Sequence, residues 1–345
     1  MNKLTKVGLS ALCGSLAAIS SANAGEMIVT GGVDMSWASY DDASTGNPIG
    51  MGSNLTFAGS GELDNGWTFG VTVAMLNQDA YSTTVVNIGM GGLGSLNINQ
   101  GDSGNGIKAI DDKMPTAWEE AWGAGLGTGM QLVSGVGTNN NIQYTTPTVG
   151  GITVALATAP DMGSADVNDK GSSVSADNTG AGYDARININ PSFGTEILSG
   201  LDLYAGGHVG ERYVDSTAGN DSYQAVGGFT YSLGPVAIGY AKSGIDTGAN
   251  TTVTDPAWYK NTMFGISFNV NDDLSVSYAE HVSEQGHVNP GALSSFDLEV
   301  SSFQVAYTMG GASVRFADID VENASYQSAK VFDKSAQMIS VALAF

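Results

Sequence analysis

Residues 335–345 read SAQMISVALAF, and this stretch decides the fold class. Ile339, Val341, Leu343 and Phe345 alternate with small or polar residues, and this period of two is typical of a β-strand with one apolar face. No part of the chain contains 18 consecutive apolar residues, the length that a membrane-spanning helix needs. The sequence therefore predicts strands rather than helices wherever it meets a membrane.

The same alternation recurs along the whole chain. It predicts about sixteen strands, at residues 27–40, 53–63, 67–78, 83–90, 94–100, 137–146, 151–159, 182–190, 201–213, 222–233, 235–243, 258–268, 274–283, 296–308, 312–320 and 335–345. Short connections rich in Gly, Asn and Asp alternate with long polar ones, of which the longest is 101–136. Short turns at one end, long loops at the other and an even number of strands predict an all-β, antiparallel transmembrane barrel. The barrel must close, because hydrocarbon offers no partner to an open sheet edge.

The composition agrees with such a barrel and excludes several other classes of protein. The 345 residues include 48 Gly, and only 13% of them are charged. The 5 Trp, 13 Tyr and 11 Phe are too many for a disordered chain. A formal net charge of −22 repels phosphate backbones, which argues against nucleic acid as a partner.

Residues 1–24 are predicted to be a cleaved signal peptide. Lys3 and Lys6 precede a short apolar run, and residues 22–24 (ANA) match the small-residue pattern that signal peptidase cuts. The apolar run is too short to span a bilayer, so a retained anchor is the weaker interpretation. Cleavage would leave residues 25–345 as a single barrel domain with a formal charge of −24.

With these features, the chain resembles the general diffusion porins of Gram-negative bacteria. The resemblance also rests on the segments GGVD (31–34), LTF (55–57) and GWTFG (66–70), and on the terminal Phe345. It implies an outer-membrane homotrimer with a third loop folded into the lumen. The function implied is passive diffusion of small hydrophilic solutes and ions through a water-filled channel, without enzymatic activity. The residues implied as the signal for the barrel-assembly machinery are Ile339, Val341, Leu343 and Phe345.

The long segment 101–136 is the predicted third loop. A stretch of this length without regular structure is usually functional or disordered. Its central sequence IKAIDDKMPTAWEEAWG predicts a helix that begins at Pro115, with Trp118 and Trp122 on the face toward the barrel wall. The carboxylates expected to narrow the pore are Asp111, Asp112, Glu119 and Glu120. An acidic loop on the outer surface is the alternative interpretation.

The basic residues depart from the pattern that the resemblance implies, namely an arginine cluster on the early strands. Residues 25–107 contain no Lys or Arg. The candidates for a basic pore wall are Lys108, Lys113, Arg186, Arg212 and Arg315. The three Arg should face the lumen, because a charge that faces lipid at the bilayer midplane costs about 2–4 kcal/mol. Each of them could instead pair with a neighbouring Asp. Since acidic residues outnumber basic ones, we expect the pore to prefer cations.

Other potential sites are weaker. Cys13 is the only cysteine and lies in the predicted signal peptide, so no disulfide or thiolate is expected in the mature chain. The histidines lack the spacing of zinc ligands, and no cofactor is expected, although residues 166–171 leave a weak loop-bound calcium open. The alternative function is an outer-membrane adhesin, structural barrel or enzyme. The enzyme's site would be an acidic residue beside His208 or His281.

Overall fold

The structure, a computed structural model, describes most of the region predicted to form the barrel. The described residues are 27–40, 48–77, 82–121, 126–163, 179–191, 198–214, 217–218, 220–249, 255–289 and 295–345. The predicted signal peptide, Trp122 and the candidate calcium segment 166–171 lie outside these ranges.

Seventeen β-strands form one sheet. They are β1 (Met27–Tyr40), β2 (Ile49–Glu62), β3 (Thr68–Leu76), β4 (Thr83–Gly89), β5 (Ser95–Gln100), β6 (Asn141–Thr145), β7 (Ile152–Ala159), β8 (Thr179–Ile189), β9 (Leu201–Val214), β10 (Thr217–Ala218), β11 (Ser222–Leu233), β12 (Val236–Asp246), β13 (Pro256–Asn269), β14 (Leu274–His287), β15 (Leu298–Met309), β16 (Ala312–Glu322) and β17 (Lys334–Ala344). The two-residue β10 pairs with the end of β9, beyond the part of β9 that pairs with β11, so sixteen strands make up the barrel wall. The described residues also form five short 3₁₀ helices, none of which is long and apolar enough to cross a bilayer.

The barrel is closed and antiparallel throughout. Each long strand pairs with its neighbours in sequence, and β17 pairs with β1. Two backbone hydrogen bonds complete this seam, from the Phe345 N–H to the Gly31 carbonyl (3.0 Å) and from the Gly31 N–H to the Phe345 carbonyl (3.1 Å). The sheet therefore leaves no unpaired edge, and the predicted sixteen-stranded antiparallel barrel is confirmed.

The two faces of the wall differ as the alternation predicts. Large apolar side chains are exposed on the outside, among them Trp37 (50% exposed), Ile339 (45%), Leu343 (48%) and Phe345 (78%). In a protein surrounded by water, so much exposed apolar surface would be anomalous. The inner face carries Ser, Thr, Asn, Gln and small residues, and most of its buried side chains lie where a loop presses on the wall.

Candidate functional site: a loop inside the barrel

Residues 101–140 connect β5 to β6, and we call this segment the lumen loop; its described parts, 101–121 and 126–140, lie inside the barrel. The predicted start of β6 at residue 137 was wrong, since the strand begins at Asn141. The loop has two legs, 106–119 and 126–136, which cross the inner wall in opposite directions. The backbone N–H groups of the first leg donate to inward-facing wall side chains: Gly106 to Gln143 (2.8 Å), Ile107 to Asp184 (2.7 Å), Ala117 to Ser277 (2.8 Å), Trp118 to Gln304 (2.9 Å) and Glu119 to Gln304 (3.0 Å).

The second leg returns along the same wall, nearer the end of the barrel with the long loops. Its contacts are Lys334 Nζ to the Leu126 carbonyl (2.8 Å), Ser325 N to the Thr128 carbonyl (2.8 Å), Asn261 Nδ2 to the Gln131 carbonyl (2.9 Å), and Ser134 N and Gly135 N to Gln224 Oε1 (2.7 and 3.1 Å). The loop therefore covers the wall from β6 round to β17. The open lumen lies between the loop and the early strands.

The helix predicted to begin at Pro115 is not formed in the described residues up to 121; in the described parts of the loop the helical residues are those of the 3₁₀ segment Gly106–Ile110. Two features of the wall explain this. The N–H groups of Trp118 and Glu119, which a helix beginning at Pro115 would bond to its own carbonyls, are bonded to Gln304 of the wall. In addition, Met114 and Pro115 press against Gly239 and Gly265, where an added Cβ would lie 2.6 and 3.1 Å from Pro115 Cδ. Contacts with the wall therefore override the local helix signal.

One carboxylate ties the two legs together. Asp184 on β8 accepts the N–H of Ile107 (2.7 Å) and the N–H of Val136 (3.1 Å). It also lies 2.6 Å from Nδ1 of His208 on β9, and both side chains are almost wholly buried. Arg186, which the sequence predicts to face the lumen, lies two residues further along the same face of β8, but the sequence does not indicate that a loop covers Asp184. The start and the end of the lumen loop therefore depend on a single side chain.

A second carboxylate and histidine meet beneath the first leg. Asp112 Oδ2 lies 3.3 Å from Nε2 of His281 on β14, and the two side chains are 1% and 0% exposed. Oδ1 of Asp112 accepts the N–H of Met114 at 2.8 Å. Asp112 thus faces the wall rather than the lumen water, although the sequence places it among the pore carboxylates.

Three of the predicted basic candidates are paired with carboxylates. Lys108 lies 2.5 Å from Asp111 within the loop. Lys113 pairs with Asp202 of β9 and sits over the Tyr204 ring at 4.9 Å. Each of these two lysines thus has its charge balanced by an adjacent aspartate.

Arg315 on β16 is the third paired residue. Its Nη1 lies 3.2 Å from Oδ2 of Asp34 on β1, and its guanidinium stands 5.5 Å from the centre of the Trp118 ring. Ser340 donates to the other carboxylate oxygen of Asp34. Arg315 is only 4% exposed, so its charge is held in the wall behind the loop. For this residue, pairing with a neighbouring Asp is the arrangement found.

Arg186 and Arg212 lie apart from those pairs, on the inward faces of β8 and β9. Neither forms an ion pair with a residue that the structure describes. Arg212 donates from Nη1 to the Thr247 carbonyl at 2.8 Å, close to the long-loop end of the barrel. The five basic candidates are thus distributed over the loop and three strands and do not form one cluster.

Glu119 and Glu120, at the end of the first leg, are the loop carboxylates most open to the lumen. The surrounding protein removes part of their bulk hydration, which raises the pKa of Glu119. Burial, and next the carboxylates of Asp112, Glu119 and Asp111, raise the pKa of Glu120 to about 7. Glu120 therefore changes its charge near neutral pH.

The inner face of the early strands offers these glutamates no cationic partner. The register of β2 to β5 puts Ser, Thr, Asn and Gly on the lumen side, including Thr56, Ser60, Thr72, Asn87 and Asn97. Such a wall donates and accepts hydrogen bonds but supplies no positive charge. The narrow part of the pore thus has an acidic side and a neutral polar side.

Comparison with known families agrees with this architecture. The sequence model for Gram-negative porins matches residues 8–311. The chain belongs to the Gram-negative porin family. This porin is therefore a diffusion channel of the outer membrane, in a family of channels and not of enzymes. No curated protein matches its sequence significantly.

Solved structures share the fold at low sequence identity. The anion-selective porin of Comamonas acidovorans has 16% identity and a TM-score of 0.63, covering 93% of this chain and 100% of that one. OmpF of Salmonella typhi, in complex with daunomycin, has 12% identity and a TM-score of 0.66, covering 92% and 97%. OmpT of Vibrio cholerae, in its trimer form, has 12% identity and a TM-score of 0.63, covering 94% and 100%. At these identities, the similarity establishes the barrel but not the selectivity of this porin.

Proposed function

We propose that this porin is a cation-preferring channel for the passive diffusion of small hydrophilic solutes and ions. The observation that carries the proposal is the charge arrangement at the lumen loop. Glu119 and Glu120 are open to the lumen and face a neutral wall, whereas Lys108, Lys113 and Arg315 are each paired with a carboxylate. The net field in the narrow section is then negative, and cations should enter more readily than anions.

The experiment is a reversal-potential measurement in a potassium chloride gradient across a planar bilayer. We expect cation preference at low salt, and it should weaken as the salt concentration rises. At 0.1 M salt the Debye length is about 10 Å, so the two carboxylates act across a narrow pore, and higher salt screens them. Glu119→Gln together with Glu120→Gln should shift the reversal potential toward zero. The matched control is Glu62→Gln together with Asp64→Asn, which removes two carboxylates near a short turn. Anion preference of the wild type at low salt would contradict the proposal.

The alternative is a barrel that serves mainly as an adhesin or structural protein. Liposome swelling distinguishes the two functions, because a channel lets small sugars enter and the liposomes swell. Liposomes that contain the folded barrel and exclude small sugars would overturn the channel proposal.

We also propose that the porin is a homotrimer. The trimer form of OmpT, a protein with the same fold, supports this assembly. Gly59, on the outward face of β2, has no atom within 4 Å of where a Cβ would lie, so a neighbouring subunit can approach it closely. Chemical cross-linking in native outer membranes should give a trimer band, and a monomer band alone would exclude this assembly.

A further inference from the structure

A cavity of about 320 Å³ opens at the long-loop end of the barrel, between the end of the lumen loop and the wall formed by β9 and β11. Its polar lining includes Ser134, His208, Glu211, Arg212, Ser222 and Gln224. Pairing of β8, β9 and β11 sets Asp184, His208 and Gln224 in one row across the wall. The cavity has the size of a site for one small solute.

His208 forms the base of this cavity. Asp184 is an acceptor toward two backbone N–H groups of the loop, so the proton shared with His208 belongs on Nδ1, which donates to Asp184 at 2.6 Å. In the neutral imidazole, Nε2 is then an acceptor. It forms no hydrogen bond with another residue that the structure describes, although the His208 side chain is 1% exposed. A buried ring with an unpartnered nitrogen facing a cavity is arranged to bind a hydroxyl group.

Gly210 keeps the approach to His208 open. A Cβ at this position would lie 2.8 Å from His208 Nε2 and 2.8 Å from Ser222 Oγ. Both polar atoms therefore border the same small space, and any side chain at residue 210 would occupy it. Among the described residues, the Ser222 hydroxyl bonds only the Gly210 carbonyl, at 3.3 Å, so it can also bond a solute.

Arg212 supplies the positive charge. Among the described residues, Arg212 bonds only the Thr247 carbonyl, from Nη1 at 2.8 Å. Its other guanidinium N–H groups can therefore bond a ligand. The carboxylate that borders the cavity, Glu211, accepts the Ala181 N–H at 3.2 Å and is thus committed to β8. A carboxylate is the group that the guanidinium fork fits best.

We propose that this cavity binds small hydroxylated carboxylates such as six-carbon sugar acids. The carboxylate of the solute contacts Arg212, and its hydroxyl groups contact His208 Nε2 and Ser222. His208 and Arg212 are four residues apart on one face of β9, so their Cα atoms are about 13 Å apart. An extended six-carbon solute can therefore contact both His208 and Arg212, whereas acetate is too short to do so. The inference rests on the proposed channel function, because the solute must enter the barrel.

The experiment is isothermal titration calorimetry of the folded, purified porin with D-gluconate, glucose and acetate. Gluconate should bind at least about tenfold more tightly than glucose or acetate, because only gluconate makes both the ionic and the hydroxyl contacts. Arg212→Gln should weaken gluconate binding about tenfold. Gly210→Ala should weaken it as well, without any change of charge, by filling the space beside His208.

Arg186→Gln is the matched control, since it removes an equal charge from the inward face of the next strand. It should leave gluconate binding unchanged, and heat-modifiability on gels verifies that each variant is folded. Equal losses in both arginine variants, equal affinities for the three solutes, or no gluconate binding would overturn the proposal. Gluconate binding by a barrel that does not conduct would overturn the channel function and leave the site standing. Conductance without gluconate binding would remove only the site.

Discussion

At the scale of single residues, the field that the lumen loop produces in the pore depends on which of its charges are paired or covered, and not on how many charges it carries. Asp111 is matched by Lys108, and Asp112 is held behind the loop beside His281. Only Glu119 and Glu120 are left open to the lumen among the four predicted pore carboxylates. The −22 formal charge of the chain is therefore a poor measure of the field that a passing ion meets.

The raised pKa of Glu120 predicts that selectivity depends on pH. With a pKa of about 7, the carboxyl is mostly charged at pH 8 and mostly neutral at pH 6. Cation preference should therefore fall as the pH is lowered through this range. Reversal potentials at pH 8 and pH 6 in the same salt gradient measure the change. Glu120→Gln should remove most of the dependence, and a dependence that persisted in that variant would assign it to another group.

The buried position of Asp184 predicts a large effect on stability. Asp184→Asn replaces an acceptor oxygen with a donor that faces backbone N–H groups of the loop. We expect the free energy of unfolding to fall by about 2 kcal/mol or more, as measured by urea titration of the folded barrel. Asp202→Asn is the matched control: it removes a partner of Lys113 that is 23% exposed, and it should cost less than about 1 kcal/mol. Equal losses in the two variants would show that Asp184 has no special role.

At the scale of elements, the lumen loop is shaped by the wall beneath it. Gly239 and Gly265 are paired on β12 and β13, and together they form a depression that accepts Met114 and Pro115. The first leg can lie close to the wall because these positions lack side chains. The width of the open lumen thus depends on residues that do not themselves line it.

Adding side chains at this depression should narrow the pore. In Gly239→Ala with Gly265→Ala, the new Cβ atoms would lie 2.6 and 2.9 Å from loop atoms, so the first leg must move toward the lumen. We expect a lower single-channel conductance in planar bilayers. Gly70→Ala is the control, because this inward-facing glycine of β3 has no atom within 4 Å of its added Cβ. Unchanged conductance in the folded double variant would mean that the loop adjusts without moving inward.

At the scale of the whole molecule, the last strand both closes the barrel and presents an apolar face outside. Ile339, Leu343 and Phe345 are exposed there, and the backbone of Phe345 is bonded to Gly31 of β1. The predicted role of this strand as the signal for the assembly machinery depends on the same side chains. Closure and recognition can be separated, because closure uses the Phe345 backbone while recognition would use its ring.

Replacing the terminal ring should therefore impair assembly more than stability. Phe345→Ser leaves the backbone hydrogen bonds to Gly31 possible, and we expect less folded, heat-modifiable porin in the outer membrane, with translation and export unchanged. Leu233→Ser is the control, since Leu233 is also exposed, at 58%, near the short-turn end of the barrel. Normal accumulation of the Phe345→Ser variant would show that the terminal ring is not read during assembly.

Much of the fold could be predicted from the sequence because a period of two is a local property. Each of the sixteen predicted strand segments corresponds to a strand of the barrel, and the terminal segment around Ile339 faces outward as expected. The site was less predictable. Gln304, Gln224 and Asp184 hold the lumen loop, yet in the sequence they are only polar residues on inward faces. The alternation indicates which side chains face the inside of the barrel, but it does not indicate which of them the lumen loop contacts.

The sequence by itself determined the strand order, the apolar outer face and polar inner face of the wall, and the closure of the barrel. These follow from alternation, turn residues and the need to pair every backbone group in hydrocarbon. Only the tertiary structure decided the path of the lumen loop and the partners of its charges. The helix predicted at Pro115 does not form because the loop contacts the wall there. Arg315 pairs with Asp34, which lies near the other end of the sequence. Such contacts join residues far apart in sequence, so their outcome depends on the closed barrel as a whole.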